Sequence, residues 1–157
     1  MENFSYFCPM IKFAGDYSAK IDDKGRIVFP YQLKAMIPEG SDMRFIIRRS
    51  SYTDSLEMYT YEEWTRWSEN VLSKLNLFNP EHSALWDELT NDRALVEPDT
   101  KLGRITIPKY LLDDIGATKE LLFIGRDHYI AVWAKENFDK NRLSKEKYSD
   151  LTQKILG

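Results

Sequence analysis

The sequence has one cysteine, Cys8, and two histidines, His82 and His128, among 157 residues. A lone thiol closes no internal disulfide and fits a reducing cytoplasm. The histidines stand far apart and lack metal-ligand spacing, so no metal site is expected. No stretch approaches the roughly 18 apolar residues of a membrane span. The opening residues, MENFSYFCPM, lack the basic start and the long apolar run of a secretory signal. Met10 stands just before the patterned sequence, where a second start codon could lie. Nucleophile-elbow, P-loop and dinucleotide-binding fingerprints are missing too, and no pattern pairs two carboxylates in an apolar cleft. Catalysis is therefore not expected, and neither is a cofactor or a small-molecule ligand.

What is present fits one compact domain, or two small units sharing a core: 43% of residues are hydrophobic and 30% charged. The net charge of −3 argues at first against a polyanionic partner. Its distribution argues otherwise. Residues 9–50 carry eight basic and five acidic side chains, whereas residues 54–93 carry three and nine, and residues 97–135 six of each. A local basic surface thus survives on the first third of the chain, and local field governs docking onto a polyanion.

The most informative feature is an internal repeat. KGRIVFPYQLKAMI (Lys24–Ile37) returns as LGRITIPKYLLDDI (Leu102–Ile115). The match continues through Phe45-Ile46 with Phe123-Ile124 and Arg48 with Arg126, and then Leu56–Tyr59 with Ile130–Trp133. A unit of this size buries too little apolar surface to stand alone, so two copies are expected to interleave into one core. The same shortage favours self-association. The division read from the repeat is 13–59, 60–93 (linking helices), 94–138 and 139–157 (a C-terminal helix).

Within the first copy, Tyr17–Ile21 reads as a strand leading through a tight hairpin at Asp22-Asp23-Lys24-Gly25. Arg26 and Val28 then alternate with Ile27 and Phe29, placing the arginine opposite the core-facing side chains. Pro30 ends that strand and opens a helix to Ile37 with Leu33, Met36 and Ile37 inward. The second copy repeats this, with Gly116 as helix stop, and Met43–Arg48 and Leu121–Gly125 read as buried strands. Between the copies, Thr60–Glu63 forms a capping box ahead of an apolar stripe (Trp64, Trp67, Val71, Leu72, Leu75). Asn79-Pro80 starts a second helix with Leu85, Trp86 and Leu89 inward, and Ser144 caps a third with Tyr148, Leu151 and Ile155 on one stripe. These stripes read as packing surface, or else as a subunit interface.

Two readings of the repeated arginines stand side by side. An exposed Arg on a rigid strand end can contact phosphate or fork onto guanine, where a good base contact contributes about 1–3 kcal/mol of discrimination. Alternatively Asp22 and Arg26 simply pair with each other, an interaction of roughly 0–1 kcal/mol when exposed. Both hold together if the aspartate orients the arginine.

Asp22-Asp23-Lys24-Gly25-Arg26 followed by Ile-Val-Phe-Pro, with a second GR-I-x-I-P near Arg104, resembles the MraZ family over about residues 13–138. These are bacterial transcriptional regulators of the division and cell-wall gene cluster, built from two SpoVT/AbrB-like units. The resemblance implies a mainly β fold with helices: a pseudo-symmetric, swapped-hairpin β-barrel made from the two repeats plus the intervening helices. It implies a ring-like homo-oligomer in the cytoplasm, associated with the nucleoid. It also implies binding to short G-rich direct repeats in double-stranded promoter DNA, most often as a repressor. Asp22 and Arg26 match the family's D-x-x-x-R motif.

The second copy departs from that motif: Asp99 stands five residues before Arg104 instead of four. Either a bulge restores the aspartate, or Thr100 takes its place without a charge, and the first copy is expected to dominate DNA contact. Lys24 and Lys101, in the two loops, could reach phosphates or simply stay solvated. Arg48, Arg49 and Arg126 read as structural partners of acidic neighbours. The expected DNA contacts are thus Arg26, Lys24, Asp22, Arg104 and Lys101. The alternative is an interaction module of the same fold, antitoxin-like, whose acidic central segment binds a basic partner.

Overall fold

More and less exposed residues alternate along Asp16–Lys20 and Arg26–Val28, the period of strands with one covered face. In a computed structural model, which describes residues 11–157, they form β1 (Asp16–Lys20) and β2 (Arg26–Val28). The first half continues with α1 (Tyr31–Lys34), β3 (Phe45–Arg49), β4 (Leu56–Thr60), α2 (Tyr61–Leu72) and α3 (Pro80–Thr90). The second half has β5 (Ala94–Val96), β6 (Arg104–Thr106), α4 (Lys109–Asp114), β7 (Glu120–Arg126), β8 (Tyr129–Ala134), α5 (Lys135–Phe138) and α6 (Lys145–Leu156). Cys8 and Met10 lie outside the described residues. Among the described residues, no helix is long and apolar enough to cross a membrane.

The architecture is mainly antiparallel β with several helices. Six strands form one sheet in the order β1-β7-β8-β4-β3-β5, and β2 and β6 form a separate two-stranded ribbon. The hairpin read at Asp22–Gly25 exists only as a turn. The Asp22 amide donates to the Arg26 carbonyl at 2.9 Å, and the strands then part. β1 joins β7 of the second copy, β2 joins β6, and β5 joins β3 of the first copy. Each copy lends an edge strand to the other, which lets two units too small to fold alone bury one common core.

The registers expose the symmetry. Ile27 lies opposite Ile105, its own repeat equivalent, and Glu57 opposite Ala131, again its equivalent. A residue facing its own counterpart across an antiparallel pair marks a local two-fold axis. The pseudo-dyad therefore passes through both the ribbon and the sheet.

The ribbon's inner face caps the core. Ile27, Phe29, Ile105 and Ile107 are all buried, and Phe29 lies 5.1 Å from the Phe45 ring and 6.1 Å, edge-on, from Phe123. Pro30 ends β2 in extended geometry just before α1, which stops at Lys34, short of the expected Ile37. Met36 and Ile37 continue as tight turns bonded three residues back, and Leu33 and Ile37 are buried. Gly116 follows α4 with φ +69°, as expected of a helix stop.

The other helices divide the expectations. Thr60 caps α2 by accepting from the Glu63 amide at 3.1 Å, but the reciprocal half of the box is replaced: Glu63 accepts from Arg66 at 2.9 Å. Thr60 is also the last residue of β4, paired with Phe45. Trp64 is buried beside Trp67, Tyr59 and Tyr129 on the sheet's outer face, and Leu72 is exposed. Asn79 caps α3, yet no residue of α3 is buried, and Leu85, expected inward, is 51% exposed. The aromatic residues of α2 cover that part of the sheet, and the stripe on α3 packs only in part: Trp86 and Leu89 are partly buried, and the Leu89 carbonyl accepts from Arg48 at 3.2 Å. Ser144 caps α6 as expected, and Tyr148 and Ile155 face outward.

Arg48 and Arg49 take the structural partners expected of them. Arg48 meets Glu57 at 3.1 Å and lies 4.8 Å from the Trp67 ring, and Arg49 meets Asp54 at 2.6 Å. Arg126 is exposed at the end of β7.

Candidate nucleic-acid interface

Two loops, 22–26 and 99–104, flank the β2–β6 ribbon, and each is organised by one aspartate. Asp22 accepts the backbone amides of Lys24 and Arg26 at 2.9 Å on Oδ1, and Arg26 Nε at 2.8 Å on Oδ2. In the second loop Asp99 accepts the amides of Leu102 and Arg104 at 2.8 and 3.3 Å on Oδ1, and Arg104 Nε at 2.8 Å on Oδ2. Of the two alternatives raised by the longer spacing, the structure selects the bulge: the extra residue is absorbed between Asp99 and Leu102. Asp99 therefore holds Arg104 as Asp22 holds Arg26. This removes the ground for expecting the first copy to dominate.

Gly25 and Gly103 make both turns with φ +77° and +67°, in the left-handed region that an L side chain resists. At Gly25 space also matters, because a Cβ would stand 3.2 Å from the Ile107 carbonyl oxygen. That contact is part of the ribbon itself. Ile107 donates to the Gly25 carbonyl at 3.1 Å, and Phe29 donates to the Gly103 carbonyl at 3.0 Å. Each loop is thereby fastened to the other copy's strand.

Both aspartates titrate below the ordinary carboxylate range. For Asp22 the Arg26 amide contributes most, followed among the favourable contacts by the Arg26 guanidinium and the Lys24 amide. For Asp99 the Leu102 amide leads, with the Arg104 guanidinium next, and the shift is larger. Both carboxylates consequently stay ionised, and stay anchors, throughout the neutral range.

Pairing places four side chains on the ribbon's outer face. Arg26 is opposite Thr106 and Val28 opposite Arg104, while Ile27 and Ile105 point into the core. The arginines are diagonal neighbours, with Cα atoms roughly 7–8 Å apart by strand geometry. Their side chains are 32% and 25% exposed, so neither is sealed in the fold. Each is bonded through Nε, and among the described residues no acceptor meets the Nη groups. A guanidinium fixed at Nε retains four N–H donors on its outer edge, suited to guanine O6/N7 or to phosphate. A two-stranded ribbon is also an element that fits the DNA major groove. Lys24 and Lys101 are exposed at the loop tips.

The arrangement of Arg26 was readable from its alternation with Ile27. The anchoring by Asp99, and the placement of Val28 and Thr106 between the arginines, were not, because neither the bulge nor the β2–β6 pairing leaves a local signal. The histidines are accounted for within the fold: His82 Nδ1 accepts the Asn76 amide at 2.8 Å, and His128 sits exposed in the β7–β8 turn. Among the described residues, no group of three or more His, Cys, Asp or Glu side chains is placed to hold a metal.

Comparison with known proteins converges on one family. The model described as "MraZ protein, putative antitoxin-like" matches residues 12–87 and 92–154. The chain is 31% identical to the transcriptional regulator MraZ of Bacteroides fragilis over 147 residues, covering 94% of this chain and 92% of the relative. Identity to the Bacteroides thetaiotaomicron protein of that name is also 31%, with 94% of each chain covered. The Christiangramia forsetii protein gives 31% over 153 residues, covering 94% of this chain and 95% of its own.

Proposed function

Since this chain belongs to the MraZ family, we propose that it is a transcriptional regulator that binds double-stranded DNA through the outer face of the β2–β6 ribbon. Arg26 and Arg104 read guanine edges in the major groove, Asp22 and Asp99 hold them in reading position, and Lys24 and Lys101 contact flanking phosphates. The targets are short G-rich direct repeats in the promoter of the division and cell-wall gene cluster, where binding represses. Several copies act together as a ring-like homo-oligomer, each built as a swapped-hairpin barrel, so that repeated loops meet repeated sites and gain avidity.

One observation carries this reading: two guanidiniums, each fixed at Nε by its own aspartate, lie on one exposed face of a groove-sized ribbon. An arginine whose only role is structural leaves no reason for the arrangement to be built twice. Because the two loops are equivalent, Arg26→Ala and Arg104→Ala are expected to weaken binding to the chain's own upstream DNA to a similar extent, at least fivefold each. Gel-shift titration beside a thermal melt checks this. Loss of binding with a changed melt, or full binding by both variants, would count against it. Retention of a basic protein partner in a pull-down, with no DNA bound, would instead favour the antitoxin-like module.

A further inference from the structure

The pseudo-dyad relates the two arginines, but the residues between them break it. Val28 and Thr106 are repeat equivalents on the same outer face, one wholly apolar and one carrying a hydroxyl. Val28 is 54% exposed, so its methyl groups stand free on that face between the two arginines. The space beside each differs as well. The groove between Val28 and the longer second loop measures about 700 Å³ and is bordered by Tyr31, Met43 and Leu102. Its counterpart beside Thr106 and the shorter first loop measures about 320 Å³ and is crossed by the Lys109–Asp113 ion pair. The Val28 side is therefore the roomier of the two, although Lys34, Glu97 and Lys101 border it beside the apolar residues.

We infer that Val28 is a specificity-determining residue that packs against the 5-methyl group of a thymine lying next to an arginine-read guanine. This rests on the DNA-binding reading above. Thymine alone among the four bases carries an apolar methyl group into the major groove, where small apolar side chains recognise it. Val28 lies directly opposite Arg104 and two residues from Arg26 on one face, so a ribbon that sets a guanidinium on guanine brings the valine to a neighbouring base pair. Thr106 offers a methyl as well, beside a hydroxyl and in the narrower groove, so the two sides differ in the room they leave and not in having a methyl. The reading face thereby becomes directional on a two-fold scaffold.

The experiment uses the full chain and a duplex carrying the segment it protects in its own upstream DNA. Each thymine in turn is replaced by deoxyuridine, which lacks only the methyl group, and each guanine by 7-deazaguanine, which lacks the N7 acceptor. One thymine adjacent to a sensitive guanine is expected to lose about fourfold in affinity on demethylation, the equivalent of one buried methyl. Val28→Ser should abolish that loss while keeping the guanine sensitivity, and Val28→Thr, which retains a methyl, should preserve it. Because Val28 is half exposed, both variants are expected to fold, which a thermal melt verifies. Guanine sensitivity without any thymine-methyl effect, or a methyl effect unchanged in Val28→Ser, overturns the role of Val28 and leaves the DNA reading intact. Absence of both sensitivities overturns the two together.

Discussion

Asp22 and Asp99 present a sign problem that separates an oriented arginine from a merely positive one. Each places a negative charge beside a surface meant for phosphates, so simple field arguments expect binding to improve when it is removed. The geometry argues the reverse. The carboxylate holds two backbone amides and the guanidinium Nε, and without it the loop and the arginine lose their fixed direction. Asp22→Ala is expected to weaken DNA binding although it makes the surface more basic, and a fluorescence-anisotropy titration at fixed salt checks it. The pH dependence follows from the same bonds. A carboxylate whose folded pKa is depressed contributes its stabilisation fully above the unfolded value of about 3.9, and loses it as pH falls through the lower folded value. Loop order is thus expected to persist across neutral and mildly acidic pH and to fail only below about pH 4, first at Asp22, whose shift is the smaller. Carboxyl-carbon NMR titration of the two aspartates follows this step.

At the scale of elements, the two strand–proline–helix units carry the reading face on an apolar foundation. Leu33 is fully buried under α1, behind Pro30 and next to the ribbon's inner residues. Leu33→Ala is expected to cost about 2–5 kcal/mol, typical of a buried leucine truncated to a cavity, as measured by urea denaturation. These elements were legible because alternation and proline are local signals: Ile27, Phe29 and Pro30 declare themselves within a few residues. Strand partnership was not. Nothing near Asp22 says that β1 leaves β2 and crosses to β7, since that choice depends on residues far along the chain. The bulge before Arg104 was legible only as one of two alternatives, because a spacing of five does not say whether Asp99 or Thr100 takes the anchoring place until the backbone shows where the extra residue goes. The stripe on α3 was legible as a stripe, but amphipathicity names no partner, and of the three residues expected inward Leu85 is exposed while Trp86 and Leu89 are partly covered.

The whole molecule joins an acidic chain to a small two-fold reading surface. Acidic side chains gather in residues 54–93, outside the two ribbon loops in sequence, so the net charge of −3 does not describe the ribbon face proposed to meet DNA. The proposed phosphate contacts are few per chain and imply modest affinity for any duplex, which repetition across the proposed oligomer would multiply and salt would weaken. Specificity must then come from the guanidinium forks and not from charge. Replacing both arginines by lysine keeps every charge and removes the fork together with its Nε bond to the aspartate. The decisive measurement is therefore the affinity of the Arg26→Lys/Arg104→Lys chain, at one salt concentration, for its own promoter repeat and for a scrambled duplex of equal length. A fall of about 25-fold or more on the promoter repeat is expected from the loss of two contacts, with the scrambled duplex bound as before. Undiminished preference for the promoter repeat would contradict the assignment of those two side chains as the readers of sequence.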